Sequence, residues 1–336
     1  MKYCSICQGS APASVVGFGL WTVATPMWGI SDPDIGKTML RKAFELGITF
    51  YDTADVYGDG LGETMLCDAL GAHRSSLFIA TKFGYDFVNF PGVQAGQRER
   101  PHDWSPQFIR RACENSLKRL NTDYIDLYQL HNPRMDALRM DDVWAELDSL
   151  KQQGKIRKAG AALGPALKPE RQCEEGIYTI RERKSIPQII FNMLEQPLGE
   201  AIFPAAREEK IPVITRVPHA SGLLEGHFTQ QTTFSPNDHR YHRISTEDGR
   251  QKWLMEGLKK VEMLDFLTSD GKRTLGQAAI QYILAEPSAA AVLPNIYEES
   301  QLLEFAASCD VPELKPDEIE QVHRLYQSGF TLCETS

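Results

Sequence analysis

Eight short runs of apolar and β-branched residues alternate with longer segments of helical periodicity nearly from end to end of the chain. No Gly/Ser/Pro-rich linker, internal repeat or shift of composition interrupts the series. These two observations predict an α/β fold: a single closed (β/α)8 barrel with extended loops at its C-terminal face, in preference to two doubly wound domains. Size is the third observation. At about 150 residues per domain, the 336 residues exceed one average domain, and a barrel enlarged by insertions accounts for residues 1–336 as one unit.

The elements follow in order. Residues 1–14 form an N-terminal arm, and VVGFGL (15–20) is the first strand. DPDIGKTMLRKAFELG (32–47) is a helix, because it opens on an acidic turn and closes on Gly47. TFYDTA (49–54) and LFIATKFG (77–84) are the second and third strands, and SPQFIRRACENSLKRL (105–120) leads to the fourth, YIDLYQLH (124–131). After the helix DDVWAELDSLKQQGK (141–155) come KAGAAL (158–163), QIIFNM (188–193) and PVITRVP (212–218). GKRTLGQAAIQYILAEP (271–287) is the helix before the last strand, AAAVLP (289–294), and a terminal helix lies around 317–326. Two long connections, 85–103 and 219–248, follow strand ends, where a barrel builds its site from loops.

Composition narrows the function. With 42% hydrophobic and 24% charged residues the chain has material for a core, which excludes disordered and collagen-like classes. The formal charge of −9 is spread without a run of one sign, which argues against a nucleic-acid surface. No stretch approaches the roughly 18 apolar residues of a membrane span, and Gln8, Gly9 and Ser10 interrupt any signal-peptide core, so a cytoplasmic protein is expected. The cysteines at 4, 7, 67, 113, 173, 309 and 333 are odd in number and scattered, as free thiols in a reducing compartment would be. Cys4 and Cys7 form a C-x-x-C without a second pair nearby. It reads as a coincidence of surface thiols, with a metal or redox pair as the alternative, and no metal site is expected.

Four polar residues stand at or just after early strand ends: Asp52 and Tyr57 in YDTADVYG, Lys82 in IATKFG and His131 in YQLH. Each is flanked by apolar residues and therefore aims at a mostly dry mouth. A Lys cation beside a phenol eases loss of its proton, an Asp keeps the Lys charged, and a His orients a carbonyl. A phenol proton donor suits addition of hydride to a carbonyl.

On these motifs the sequence resembles the aldo-keto reductase superfamily, from about Val15 to about Tyr326. GFGLWT resembles the family's first-strand Gly-x-Gly, YDTADVYGDGLGETMLCDAL its signature segment, and LFIATKFG and YIDLYQLHNP its Lys and His segments. The resemblance implies a TIM barrel that binds NADPH or NADH across its C-terminal mouth and passes the 4-pro-R hydride to an aldehyde or ketone. It assigns Tyr57 as general acid, Lys82 and Asp52 as the pair that lowers its pKa, and His131 as the group that orients the carbonyl.

For the cofactor the resemblance implies Gln188 on the carboxamide and Arg216 stacked on the nicotinamide, as in bacterial branches. It adds Val217, Pro218, His219, Ser221, Gly222 and Leu223 in the pyrophosphate loop, Gln301 and Glu304 near the adenine, and contacts from Gly19, Leu20, Trp21, Asp52 and Asn295. Trp21, Trp28, Tyr85 and Trp104 are the expected substrate-pocket walls. The chain departs from the family pattern in three places. Ala162 and Leu163 replace a Ser–Asn pair, LPNIYEESQ carries Tyr297, Glu298 and Glu299 where an Arg for the 2′-phosphate is common, and Phe305 replaces an Asn. Acids beside a ribose repel a phosphate and accept from a free hydroxyl, which makes NADH a serious candidate.

PNDHRYHR (236–243) reads either as a solvated loop or as a lid whose arginines grip anions. An acidic chain that binds an anionic cofactor is expected to gather its cations at the mouth, namely Lys82, Arg216, Arg240 and Arg243. The partner is a small carbonyl or sugar substrate, with the oligomeric state open. The alternatives to carbonyl reduction are a sugar or polyol dehydrogenase or epimerase using the same four residues, and a cofactor-binding regulatory barrel with vestigial activity.

Overall fold

The computed structural model describes residues 1–30, 32–92, 99–244 and 246–331. Two short strands, β1 (Tyr3–Cys4) and β2 (Ala13–Ser14), form an antiparallel hairpin. Eight parallel strands then follow one another around a ring: β3 (Phe18–Gly19), β4 (Phe50–Asp52), β5 (Phe78–Phe83), β6 (Ile125–His131), β7 (Ile156–Ala162), β8 (Ile186–Ile190), β9 (Val213–Arg216) and β10 (Ala289–Leu293). Main-chain bonds at the first and last strands close it, Gly17 N donating to Val292 O at 2.9 Å and Val292 N to Val15 O at 2.8 Å. Closure leaves no free edge, and helices cover the outside, so β5 and β6 are buried at every position.

The helices form where caps and periodicity placed them. Pro33–Glu45 is capped by Asp32, whose carboxylate accepts from Asp34 N at 2.9 Å, and Pro106–Leu120 by Ser105, which accepts from Phe108 N at 3.3 Å. β7 and β8 each begin two residues before the expected runs. Arg157 covers the Tyr124 ring at 4.4 Å, so a charged residue sits inside a strand by lying flat on an aromatic face. Pro187 occupies a strand position in β8. The helices Leu61–Leu70, Pro169–Arg181, Pro197–Glu209, Glu247–Glu262 and Glu299–Ala306 complete the alternation.

The arm is a stopper at the N-terminal end of the ring. Ile6 is buried in the core, Tyr3 Oη donates to Gly47 O at 3.0 Å, and Ser14 Oγ to Val16 O at 2.7 Å. Cys4 Sγ meets Ala290 O at 3.1 Å on β10, whereas Cys7 Sγ meets Asp126 O at 3.7 Å on β6. The two thiols of the C-x-x-C thus engage different strands. Burial pushes Cys4 up to about 11 and raises Cys7 as well, which keeps both protonated and unreactive. Among the described residues no group of three or more His, Cys, Asp or Glu side chains is placed to hold a metal, and no helix is long and apolar enough to cross a membrane. Cys333 lies outside the described residues.

Candidate active site

A cleft of about 610 Å³ opens at the C-terminal ends of the strands, within the range usual for small-molecule sites. The four residues singled out in the sequence meet on one wall. Each of the three N–H groups of Lys82 has an acceptor: Asp52 Oδ1 at 2.5 Å, Thr53 O at 2.7 Å and Tyr57 Oη at 3.3 Å. Burial alone lowers an ammonium pKa, but the charge of Asp52 and the oxygen of Tyr57 outweigh it, and Lys82 ends above its ordinary value. Lys82 is therefore a fixed cation. Because Tyr57 Oη accepts from Lys82, its own proton is left to donate into the cleft, which Tyr57 lines.

His131 closes the wall, edge-on to Tyr57 with ring centroids 5.7 Å apart and to Tyr85 at 4.9 Å. Its pKa is driven well below the usual histidine value by burial first, then by Lys82, His102 and Arg216, so the ring is neutral at physiological pH. Its Nδ1 is buried without a hydrogen-bond partner among the described residues. Asn132 follows it in the left-handed region (φ 53°) and donates from Nδ2 to Tyr85 Oη at 2.8 Å, an anchor the sequence reading missed.

Asp52 carries more than Lys82. Its Oδ2 accepts from Gln188 Nε2 at 2.9 Å and from Gln129 Nε2 at 3.2 Å. Gln129 was not foreseen. It sits inside the apolar run of the fourth strand, and the only signal was a polar residue alternating with His131 along β6.

The cofactor-side expectations divide. Gly19, Trp21, Gln188, Arg216, Val217, Ser221 and Asn295 line the cleft with Asp52. Arg216 donates from a terminal nitrogen to Leu163 O at 2.8 Å, which anchors its guanidinium at the cleft it lines. Val217, Ala220, Ser221 and Gly222 all have positive φ (61°, 48°, 63° and 106°), a strained turn of which Val217 and Ser221 line the cleft. A Cβ at Gly222 would lie 2.5 Å from Phe228 Cζ, so only glycine passes there. These residues fit an anionic, carboxamide-bearing ligand such as a nicotinamide dinucleotide.

Leu20, Pro218, His219, Gly222, Leu223, Gln301 and Glu304 stand behind the cleft surface. Leu20 N donates to Asp52 O at 2.8 Å, and Leu223 packs beneath the helix Glu247–Glu262. Gln301 donates to the buried Glu225 at 2.9 Å while its oxygen caps the helix Glu299–Ala306, and Glu304 accepts from Thr274 Oγ1. Phe305 stacks on His219 with centroids 4.2 Å apart, an apolar use for the position where the family has Asn.

His219 is a structural residue, its Nε2 bonded to Gly276 O at 3.0 Å and its pKa pushed down to about 4 by burial. An unfolded histidine titrates near 6.5, so the unfolded chain binds this proton first as pH falls. The stability tied to it is present above about 6.5 and is lost toward pH 4, by about 3 kcal/mol. Urea unfolding of His219→Gln should show a shallower loss over that window. An unchanged slope would refute the assignment.

Three expectations need correction. Trp104 is not a cleft wall: it stacks on His102 at 4.7 Å and lies where a Cβ on Gly84 (φ 130°) would be 2.4 Å from its ring, so it buttresses the turn after β5. Tyr85 and Trp28 do line the cleft with Trp21. Arg240 is not an open mouth cation either. Asp238 grips it from two oxygens at 2.9 and 2.6 Å, and the rings of Trp28, Phe228, Phe234 and Tyr297 surround it at 4.9 to 5.6 Å. Nor is the 236–243 segment simply a solvated loop: His239 packs edge-on to Trp21 at 4.6 Å, and His239 and His242 line the cleft. The side chain of Arg243 lies outside the described residues.

A phenol pinned by an ammonium and open to a ligand cleft, at the C-terminal end of a parallel barrel, is the equipment of a barrel oxidoreductase. The sequence model described as Aldo/keto reductase family matches residues 15–327, and the chain belongs to that family. It is 33% identical over 309 residues to Aldo-keto reductase YhdN of Bacillus subtilis (strain 168), covering 90% of this chain and 87% of the relative. It is 26% identical to L-glyceraldehyde 3-phosphate reductase of Escherichia coli (strain K12), over 98% and 92%. Among solved structures it resembles the glycerol dehydrogenase AKR11B4 from Gluconobacter oxydans with a TM-score of 0.80 and 25% identity, covering 99% of this chain and 98% of that one. The holo form of aldo-keto reductase AKR11C1 from Bacillus halodurans aligns over 100% and 99%, with a TM-score of 0.75 and 26% identity. The chain is thus an enzyme, an oxidoreductase of a family that works with nicotinamide cofactors on small carbonyl compounds.

Proposed function

We propose that this reductase converts an aldehyde or ketone to its alcohol with Tyr57 as proton donor and NADH as the preferred cofactor. The carrying observation is that Lys82 spends its three N–H groups on Asp52, Thr53 and Tyr57, which leaves the phenol proton for a ligand in the cleft. The nicotinamide, when bound, supplies the hydride. Gln188 and Arg216 hold its ring, and the strained Val217–Gly222 turn holds its pyrophosphate. The neutral imidazole of His131 donates a hydrogen bond to the carbonyl oxygen and orients it. Tyr57 then protonates that oxygen as negative charge grows on it, and the Lys82 cation stabilises the phenolate left behind. Trp21, Trp28 and Tyr85 shape the substrate end.

The preference for NADH rests on charge. Near Tyr297 the guanidinium of Arg240 is already neutralised by Asp238, while Glu225 accepts from Tyr297 Oη and the acids Glu298 and Glu299 follow it in sequence. A 2′-phosphate placed there meets repulsion without a free partner. Fluorescence titration should give NADH an affinity about tenfold or more above NADPH, a difference of about 1.4 kcal/mol. Equal or tighter NADPH binding would reverse this part of the proposal. Steady-state assays with small aldehydes and NADH, against small polyols and excess NAD+, test the reaction itself. Turnover in the first and only slow oxidation in the second is the expected pattern. Efficient polyol oxidation alone would favour the dehydrogenase direction named by the Gluconobacter oxydans neighbour.

A further inference from the structure

Asp52, Gln129 and Gln188 form a closed triangle of hydrogen bonds on the barrel axis. Gln129 Nε2 donates to Asp52 Oδ2 at 3.2 Å, Gln188 Nε2 donates to the same oxygen at 2.9 Å, and Gln188 Nε2 also donates to Gln129 Oε1 at 3.3 Å. All three residues are buried, with Gln129 fully so. They come from β4, β6 and β8, so the triangle spans the ring interior rather than following one strand. Gln188 and Asp52 line the cleft, whereas Gln129 lies behind them.

The chemistry fixes the amide orientation. A carboxylate only accepts, so the NH2 groups of both glutamines must face Asp52, and an amide turned the other way would put its oxygen against a negative charge. Once Gln188 spends its two N–H groups on Asp52 and Gln129, only its Oε1 is left for the cleft. Gln188 thus presents an acceptor and recognises a ligand N–H. Ala162 and Leu163 offer no side-chain hydrogen bond of their own, Ala162 standing bare at the cleft and Leu163 buried in the core.

We infer that Gln129 is a positioning residue: by closing the triangle it locks Gln188 with its carbonyl oxygen toward the cleft and makes that oxygen the reader of the cofactor's carboxamide N–H. The inference rests on the proposal that Gln188 meets the nicotinamide. It also implies that one residue outside the cleft steadies both halves of the site, since its Oε1 accepts from Gln188 while its Nε2 donates to the carboxylate that charges Lys82. Gln129→Met removes both of its bonds at similar volume, leaves Gln188 held by Asp52 alone and leaves the bonds of Lys82 in place.

The test compares binding of NADH with that of its 3-acetylpyridine analogue, which keeps the carbonyl and lacks the amide N–H, by fluorescence or calorimetric titration without turnover. The full-length wild-type protein should favour NADH by about five- to tenfold, the worth of one hydrogen bond. In Gln129→Met, with one of the two bonds that hold Gln188 gone, the ratio should fall by about half or more. Gln129→Glu supplies a second readout, because the new carboxyl keeps an acceptor for Gln188 Nε2 whether it is protonated or ionised. Discrimination should therefore be retained in Gln129→Glu, a rescue that a packing role does not produce. Unchanged discrimination in Gln129→Met, or a ratio in Gln129→Glu as low as that in Gln129→Met, overturns the inference. Absence of discrimination in the wild type would instead overturn the placement of Gln188 on the carboxamide, so the two failures are distinguishable.

Discussion

Replacing Tyr57 with phenylalanine should lower kcat/KM for aldehyde reduction by about 10² to 10⁴, the span of a lost general acid. Cofactor affinity should move little, because Tyr57 Oη bonds only Lys82 among the described residues. The ring itself stays in place, since its edge-on contact with His131 and its position 4.9 Å from the Lys82 ammonium use the aromatic face. The separation matters as much as the size: a fall in kcat with an unchanged NADH dissociation constant marks a proton donor, whereas a parallel loss of binding marks a collapsed cleft. Retained turnover would end the assignment.

The second large effect is on stability. In Asp52→Asn the Lys82 ammonium keeps its burial and loses its counter-charge, and breaking a buried ion pair from one side costs about 3 to 5 kcal/mol. The pH dependence should change sign as well. In the wild type Lys82 is held above its ordinary 10.5, so its contribution is fully present below about that pH and is lost as pH rises through the folded value. Without Asp52 the burial effect dominates and draws the folded value below 10.5. The unfolded state then binds the proton more tightly, and stability rises with pH between the two values. Urea unfolding of the cofactor-free protein at pH 7 and 9.5 separates the two cases. Equal midpoints for wild type and variant at pH 7, or a variant that does not gain stability with pH, would rule out the buried-charge account.

Much of this architecture was legible because strands covered on both faces read as continuous apolar runs, and each of the eight runs holds a strand. The candidate catalytic wall was equally legible: Asp52, Lys82 and His131 are polar residues at the ends of such runs, and Tyr57 follows one closely. Gln129 was hidden for the opposite reason, as a polar side chain in mid-run whose partners, Asp52 and Gln188, lie 77 and 59 residues away. The role of Arg240 was illegible because its four aromatic neighbours come from the segments around 28, 228, 234 and 297, which only the closed ring brings together. Trp104 was misread on residue type: a large aromatic near a mouth looks like a wall, yet the missing side chain at Gly84 gave it a seat behind one.

The seam between Val15–Gly17 and Val292 has a consequence for biosynthesis. The first strand of the ring to leave the ribosome finds its second neighbour only after the last strand has emerged, and Met1 likewise meets Asp310 through its amino group at 3.3 Å. During translation β3 therefore stays an unpaired edge on one side for nearly the whole length of the message, at a synthesis rate of about 5 to 20 residues per second. Exposed edges template aggregation. The nascent chain is at greatest risk before residue 292 is released, so truncations just short of the eighth strand should depend on chaperones more than the finished protein does.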